Sequence, residues 1–378
     1  MRVVMIAHSF PRWRGDVAGS FLLRLAEALV ARGHQVAVVA PADGGRGGRL
    51  ALGPVAVLQV RYAAPARENL AYTGDMARAA ASPAGAWAFY RLVRALRSGA
   101  REEAARIGAQ VVHAFWWVPG GWSATGLPVP SVLSLMGTDV AMMRTMPGRL
   151  LARRVLRRAS RVTALSTFLA DETRRLTGLG ALGIERVPVP ADVDRFLRPD
   201  AGAARAGIVY LGRLTSQKRV DLLLEAVHAA GIEAPVTIVG EGPARQALEE
   251  RARALGLGAV RFLGAVPDEQ VPALVGSARV AAFLSRNEGL GLAAAEALML
   301  GTPVVATSDG GGVLDMVRDG EGACVVTPSP DAVGAALARC LADRGIGTAA
   351  DAAGQRLRVE LSPDGVAGRF EAIYAHLL

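Results

Sequence analysis

Lysine is almost absent from this 378-residue chain: Lys218 stands alone against 42 arginines. Where a composition turns lysine into arginine wherever either will serve, a single survivor marks a candidate site for a compact ammonium rather than a planar guanidinium. Cysteine is scarce too. Cys324 and Cys340 show neither metal-ligand nor redox spacing, which argues against a disulfide scaffold and fits a reducing compartment. Long apolar runs are also missing. The longest stretch without an acidic, basic or histidine residue, 114–138, is broken by Pro119, Gly120, Gly121, Pro128 and Pro130, whereas a membrane span needs about 20 mostly apolar residues. The opening MRVVMIAHSF has too short an apolar run for a signal peptide and no small-residue cleavage site after it. A cytoplasmic location, extending to the inner face of the membrane, is therefore expected.

What is present favours a large, well-packed protein. The chain is 51% hydrophobic and 20% charged, enough apolar surface for sizeable cores and incompatible with wholesale disorder. Its length exceeds one ordinary domain and suggests two. Charge divides in the same way. Residues 1–190 carry 25 arginines against 11 acidic residues, while residues 191–378 carry 18 basic and 23 acidic residues, within a total of +9. The overall basicity invites a nucleic-acid reading, but no base-reading basic helix, zinc-finger spacing or aromatic RNA-binding strand accompanies it. No nucleic-acid partner is expected.

Both halves share one pattern. In the first, RVVMIA, QVAVVAP, VAVLQV, VVHAFW, SVLSLMG and RVTALS read as strands, with helices from Gly19 to about Arg32 and from about Ala86 to Ile107. In the second, GIVYLG, VTIVG, VRFLG, VAAFLS, PVVATS and ACVV alternate with helical segments. Nearly continuous apolar strands separated by helices predict parallel sheets covered on both faces. The Pro-, Asp- and Gly-rich stretch 187–207 reads as the linker. The expected fold class is α/β: two Rossmann-like, doubly wound domains facing a cleft, over 1–190 and 191–363, with a terminal helix over 364–378 packing back on the first. Ligands of such sheets bind at the carboxyl ends of the strands.

Chemistry-bearing residues cluster at those strand ends. After GIVYLG come Gly212, Arg213 and Lys218, two cations five residues apart where a helix begins, a place suited to an anion such as a diphosphate. Gly240-Glu241-Gly242-Pro243 forms a tight turn that matches neither a dinucleotide fingerprint nor an ATP-binding loop. After VAAFLS come Glu288, Gly289, Leu290, Gly291 and Leu292, with Glu296 inside the following Ala-rich helix. Glu288 can reach sugar hydroxyls, and Glu296 can accept two hydrogen bonds from a vicinal diol such as a ribose. A surface glutamate is the alternative, but the neighbouring alanines suggest a buried helix, where an unpaired glutamate is costly.

Glu288-x7-Glu296, Gly212-Arg213-Leu214…Lys218, Gly240-x-Gly242-Pro243 and Gly301-Thr302-Pro303-Val304-Val305, in this order and spacing, resemble retaining glycosyltransferase family 4, whose members have the GT-B fold. The resemblance covers nearly the whole chain. It implies a retaining, metal-independent transfer of a hexosyl group from a UDP- or GDP-linked sugar to a glycan, lipid-linked or small-molecule acceptor, with no cofactor beyond the nucleotide-sugar donor. By similarity Arg213 and Lys218 would hold the diphosphate as leaving group, Glu296 the ribose and Glu288 the donor sugar. Gly212, Gly242, Gly289, Leu290, Gly291 and Leu292 would lie along the donor, and Val266 near its base. In the first half Gly15 and Gly19 would face the donor phosphates and Arg12 and Trp13 the acceptor. His113 fits a catalytic position or a hydrogen-bonded structural one, and Asp139 fits the acceptor side or a helix cap.

Two departures from the family pattern stand out. Met136 occupies a position where many relatives carry histidine, and it can neither donate nor accept a proton usefully. VPVPADVD replaces a segment where relatives often carry Asn-Gly; its Asp192-Val193-Asp194 falls in the linker and not at a strand end, so no metal site is expected. The segment RLLARRVLRRASR, residues 149–161, reads either as a helix covering the sheet or as a basic surface for peripheral membrane contact. A nucleotide-sugar 2-epimerase and a noncatalytic nucleotide-sugar binder are the competing readings.

Overall fold

Apolar strands of four to seven residues find parallel partners in both halves of the chain. The computed structural model describes residues 1–45, 47–72, 76, 82–197 and 205–378. It divides into two compact units, Met1–Pro190 with Pro363–Leu378, and Ala191–Ser362. Part of the stretch read as a linker, 198–204, lies outside the described residues.

The first unit holds eight strands: β1 (Arg2–Ile6), β2 (Gln35–Pro41), β3 (Gly48–Leu52), β4 (Val55–Val60), β5 (Val111–Phe115), β6 (Ser131–Leu135), β7 (Arg161–Ala164) and β8 (Ile184–Arg186). Their order is β3-β4-β2-β1-β5-β6-β7-β8. All neighbours are parallel except the β3–β4 hairpin. Strands β3 and β8 carry no strong apolar pattern and were not expected. Chain direction across the sheet reverses between β1 and β5, so the loops after these two strands diverge and leave a crevice of the kind where doubly wound sheets bind ligands.

Helix α1 (Ser20–Ala31) buries Leu22, Leu25, Ala26 and Leu29. The terminal helix (Pro363–Ala375) packs beside it and adds Val366, Ala367, Phe370, Ile373 and Tyr374 to the same core. Arg32, just past α1, fixes the register by pairing with Asp364 at 2.7 Å and Glu371 at 2.6 Å. Helix α2 (Pro83–Ile107) and helix α3 (Met146–Leu156) are each capped by a side chain, Ser82 and Thr145, with proline in the first turn, the arrangement that satisfies otherwise orphaned N–H groups.

The second unit is a six-stranded, wholly parallel sheet of β9 (Ile208–Leu211), β10 (Val236–Val239), β11 (Val260–Gly264), β12 (Val280–Phe283), β13 (Val304–Thr307) and β14 (Ala323–Val326), in the order β11-β10-β9-β12-β13-β14. Strands β12 and β13 are buried along their whole length, as sheets covered on both faces require. The order reverses between β9 and β12. Among the described residues no helix is long and apolar enough to cross a membrane.

Phe370 is almost fully buried between α1 and the sheet. Phe370→Ala is expected to lower the unfolding free energy by about 3–5 kcal/mol, read from urea unfolding. A loss below about 1 kcal/mol would mean that the terminal helix is not part of the first unit's core.

Candidate functional site

The two loops at the second unit's reversal point carry the best-organised polar cluster. Lys218 closes the turn after β9, Glu288 sits in the turn after β12, and the lysine ammonium is paired with Glu288 Oε2. Both side chains are largely but not wholly covered. Around them the backbone is laced: Arg286 N–H donates to the Gln217 carbonyl at 3.0 Å, and Gln217 Nε2 donates to the Arg286 carbonyl at 3.2 Å. Glu288 N–H donates to Gly310 O at 3.0 Å, and Gly312 N–H donates to Glu288 O at 2.7 Å. The loops after β9, β12 and β13 thus form one hydrogen-bonded body.

Arg219 locks that body in an unusual way. It adopts left-handed backbone angles, φ 51 and ψ 46, a conformation that costs a non-glycine residue roughly 1–2 kcal/mol. Its guanidinium grips Asp309 through both oxygens, at 2.9 and 2.6 Å, a fork geometry that lysine cannot reproduce. Burial pushes the Asp309 carboxyl up, but the hydrogen bonds and charge of Arg219 hold it below its ordinary range. Charge-assisted bonds of about 1.5–3 kcal/mol each, discounted for partial exposure, are sufficient to offset the strain.

The remaining expected residues of this unit lie on the same strand ends. Arg213 is exposed and makes no ion pair among the described residues. Its carbonyl accepts from the Tyr210 hydroxyl at 3.1 Å, under Gly212. Gly242 is required where it stands, because a Cβ there would lie 2.3 Å from the Leu214 carbonyl oxygen. Gly291, with φ 79, starts helix α4 (Leu292–Met299) without a side-chain cap, so the first-turn N–H groups stay available to another acceptor. Gly289 is half-buried and Leu290 buried, so Leu290 contributes packing by its side chain and only its backbone faces the loops. Glu296 is half-buried on α4, and Val266 follows β11. Among the described residues no three His, Cys, Asp or Glu side chains gather closely enough to hold a metal ion.

In the first unit the outcome is mixed. Gly19 belongs to the loop after β1 and sits so tightly that a Cβ would meet Ser9 O at 2.3 Å; Gly15, with φ 88, lies in the open. Trp13 is exposed, and its ring stacks on Arg12 at 4.4 Å. Arg12 itself is already neutralised: Asp16 receives its Nε at 2.7 Å, Asp43 is a second partner, and Tyr72 covers it at 4.7 Å. Its guanidinium pKa is raised by these partners, the Asp16 hydrogen bond foremost. Arg12 therefore staples the loop instead of offering a free cation to a ligand.

His113 corrects the catalytic expectation. It is fully buried in β5, with Nδ1 2.6 Å from the Tyr374 hydroxyl and Nε2 2.7 Å from Ser134 Oγ, which in turn lies 2.7 Å from Thr163 Oγ1. Burial lowers its pKa to about 3, so it stays neutral and ties the terminal helix to the sheet. Asp139 is also buried: it accepts from Trp117 N–H at 2.9 Å, Met136 N–H at 3.1 Å, Gly137 N–H at 2.9 Å and Val140 N–H at 3.1 Å. Burial nonetheless raises its pKa to about 6. With its oxygens committed to four backbone groups, Asp139 is a loop staple and not an acceptor-side group. The Met136 side chain packs against the core.

Sequence reasoning missed the pair at this unit's own reversal point. His8, after β1, meets the edge of Trp116, after β5, at 4.2 Å between ring centroids. Protein atoms surround the imidazole and lower its pKa to about 4, and Nδ1 has no hydrogen-bond partner. The available signal was positional: both residues follow the two strands where the sheet order reverses.

Two Rossmann-like units, each with a parallel sheet whose strand order reverses, are the architecture of the GT-B class of α/β proteins. The match to the profile described as Glycosyl transferases group 1 covers residues 201–357, and that to Glycosyltransferase Family 4 covers residues 18–195. The chain belongs to the family-4 type of GT-B glycosyltransferases. It is 34% identical over 229 residues to a GDP-mannose-dependent alpha-(1-6)-phosphatidylinositol monomannoside mannosyltransferase of Mycobacterium tuberculosis, covering 54% of this chain and 59% of that one. It is 33% identical over 240 residues to a 2-deoxystreptamine N-acetyl-D-glucosaminyltransferase of Streptomyces fradiae, covering 58% and 54%. The chain thus spans less than two thirds of the length of these curated relatives. Among solved structures, sucrose-phosphate synthase from Thermosynechococcus elongatus matches with a TM-score of 0.75 at 21% identity, over 100% of this chain and 98% of that one. Anabaena HepE in complex with UDP matches at 0.72 and 18%, over 100% of both chains. At these identities the structural likeness speaks for the fold.

The Arg219–Asp309 lock makes a sign-reversal expectation. Asp309→Ala alone should destabilise the second unit by about 2 kcal/mol, because Arg219 keeps its left-handed strain. Arg219→Gly introduced into that variant should restore about 1 kcal/mol. A double-mutant cycle in urea tests this, and a further loss on adding glycine would refute the lock.

Proposed function

We propose that the protein is a glycosyltransferase that takes a hexosyl group from a UDP- or GDP-linked sugar and passes it, with retention of anomeric configuration and without a resident metal, to a hydroxyl group. The single observation that carries this reading is the Lys218–Glu288 pair at the reversal point of the second unit. It sets a cation and a carboxylate side by side where a diphosphate and a sugar would meet. Family membership and relatives whose names specify nucleotide sugars support the donor class.

Each side chain then has a chemical task. Arg213, with no acidic partner among the described residues, and Lys218 offset the charge that develops on the diphosphate as the bond from the sugar C1 to the phosphate oxygen breaks. The N-terminal turn of α4 adds backbone N–H groups to the same anion. Glu288 accepts from sugar hydroxyls through the oxygen that Lys218 leaves available, and Glu296 accepts from the ribose diol. The new bond joins C1 to the acceptor oxygen, whose proton leaves to the departing diphosphate. A glycan, lipid-linked or small-molecule acceptor would be met by the first unit, where the exposed Trp13 offers an aromatic face suited to a sugar or lipid surface.

Incubation with a panel of UDP- and GDP-sugars, with and without candidate acceptors, tests the proposal through nucleotide release and product analysis. Transfer with retained configuration supports it; a C2-epimerised donor without release, or binding without turnover, overturns it. Lys218→Ala is expected to lower kcat/KM by about 100- to 1,000-fold. Lys218→Arg should recover only part of this loss, because a guanidinium cannot occupy the same compact position beside Glu288. Full activity in the arginine variant would sink the role assigned to the ammonium.

A further inference from the structure

The first unit presents a second organised surface, on the outward sides of two helices. Helices α2 and α3 flank the short segment Trp116–Ala124 on one face of the sheet: both contact it, and a Cβ at Gly121 would lie 3.1 Å from Val155 of α3. Arg97 of α2 donates to the Trp122 carbonyl at 2.7 Å and to Thr125 Oγ1 at 3.0 Å. The outer sides of the two helices therefore belong to one continuous surface.

That surface has an uncommon composition. On α2, Trp87 (61% exposed) and Tyr90 (41%) stack with centroids 5.6 Å apart, followed along the same stripe by Arg91, Arg94 and Arg101, all exposed. On α3, Met146 (61%) and Leu150 (60%) lead into Arg153, Arg154 and Arg157, at helical spacing, with Ala152, Val155 and Leu156 buried behind them. A shallow hollow of about 620 Å³ is lined by Leu150, Arg153, Arg154, Arg157 and Arg158. None of these arginines makes an ion pair among the described residues, whereas Arg49, Arg61, Arg106, Arg174 and Arg175 of the same unit all do. The accumulated charge is felt internally: burial first, then Arg101, Arg94 and Arg158, depress the Arg97 pKa. Four of the large apolar side chains exposed among the described residues thus share a face with unpaired arginines.

Several large apolar side chains exposed together, beside a field of one sign of charge, mark an interaction surface on a protein. Exposed tryptophan and tyrosine beside leucine, methionine and a field of arginine suit the boundary of a bilayer, where rings sit at headgroup depth and guanidinium groups bind phosphates. We propose that the outer face of α2 and α3 docks on an anionic lipid bilayer, with Trp87, Tyr90, Met146 and Leu150 entering the interface and Arg91, Arg94, Arg153, Arg154, Arg157 and Arg158 holding lipid phosphates. The proposal stands on the first unit alone and does not depend on the donor reading.

Flotation of the full chain with vesicles tests it, comparing phosphatidylcholine alone with phosphatidylcholine containing about 30% phosphatidylglycerol at roughly 0.15 M salt. Binding to the anionic vesicles only is expected. Arg154→Glu with Arg157→Glu should lower partitioning at least about tenfold, and Trp87→Ala with Leu150→Ala about fivefold. Both double variants should keep the thermal midpoint and the rate of nucleotide release of the parent chain. Absence of flotation, equal partitioning of folded variants, or binding that heparin reproduces and that Trp87→Ala with Leu150→Ala leaves unchanged would each overturn the bilayer assignment. The last result would identify a site for soluble polyanions.

Discussion

The ion pair between Lys218 and Glu288 bridges the point where the second sheet reverses its strand order. Everything expected of a donor site in this unit depends on that bridge being preorganised. Two parallel strands whose following helices leave in opposite directions open a crevice, and loops lining it would otherwise move independently. Here Gln217 crosses from one loop to the other, Arg219 and Asp309 join the third, and the backbone of Glu288 is pinned on both sides by Gly310 and Gly312. A carboxylate and an ammonium held in register need no reorganisation when charge develops beside them, and this is the condition under which electrostatic stabilisation is largest.

The first unit uses the same topology for a different purpose. Its reversal point holds an unpaired imidazole nitrogen and an indole, His8 and Trp116, where the second unit holds charges. The nearby cation, Arg12, is consumed by Asp16 and Asp43. Buried polar groups there are spent on architecture: His113 joins the terminal helix to the sheet, and Asp139 gathers four backbone N–H groups from the segments after β5 and β6. A neutral, aromatic crevice and a charged one make different demands on a ligand, consistent with one unit meeting a hydroxyl-bearing molecule and the other a phosphate.

Strand periodicity made the architecture legible in the sequence, because buried parallel strands must be apolar throughout. The placement of Lys218, Arg213 and Glu288 was legible for a related reason, since polar residues in the loop that follows such a strand gather at its carboxyl end. The rest escaped for separate reasons. His113 and Asp139 occupy positions that could equally serve chemistry or packing, and only three-dimensional partners separate the two. Tyr374, which engages His113, lies 261 residues away. Strand β3 was missed because Gly48–Leu52 pairs only at a sheet edge and is mostly exposed, leaving no apolar pattern. Arg219 and Asp309 were missed because a left-handed arginine has no sequence signature.

The uneven charge of the two halves also has a structural address. The excess of arginine in residues 1–190 does not sit on the loops at the strand ends, where Arg12 is neutralised and His8 and Trp116 are uncharged. It sits on the outward stripes of α2 and α3, beside exposed rings and aliphatic chains. Charges placed at a ligand crevice act over a few ångströms and are resisted by desolvation. Charges spread over an outer face act over about a Debye length, near 8 Å at physiological salt, on a partner broad enough to meet many of them together. Scarcity governs the second unit instead. In an acidic half, Lys218 supplies a local cation whose effect depends on being compact and correctly held, and the surrounding turns are built to hold it.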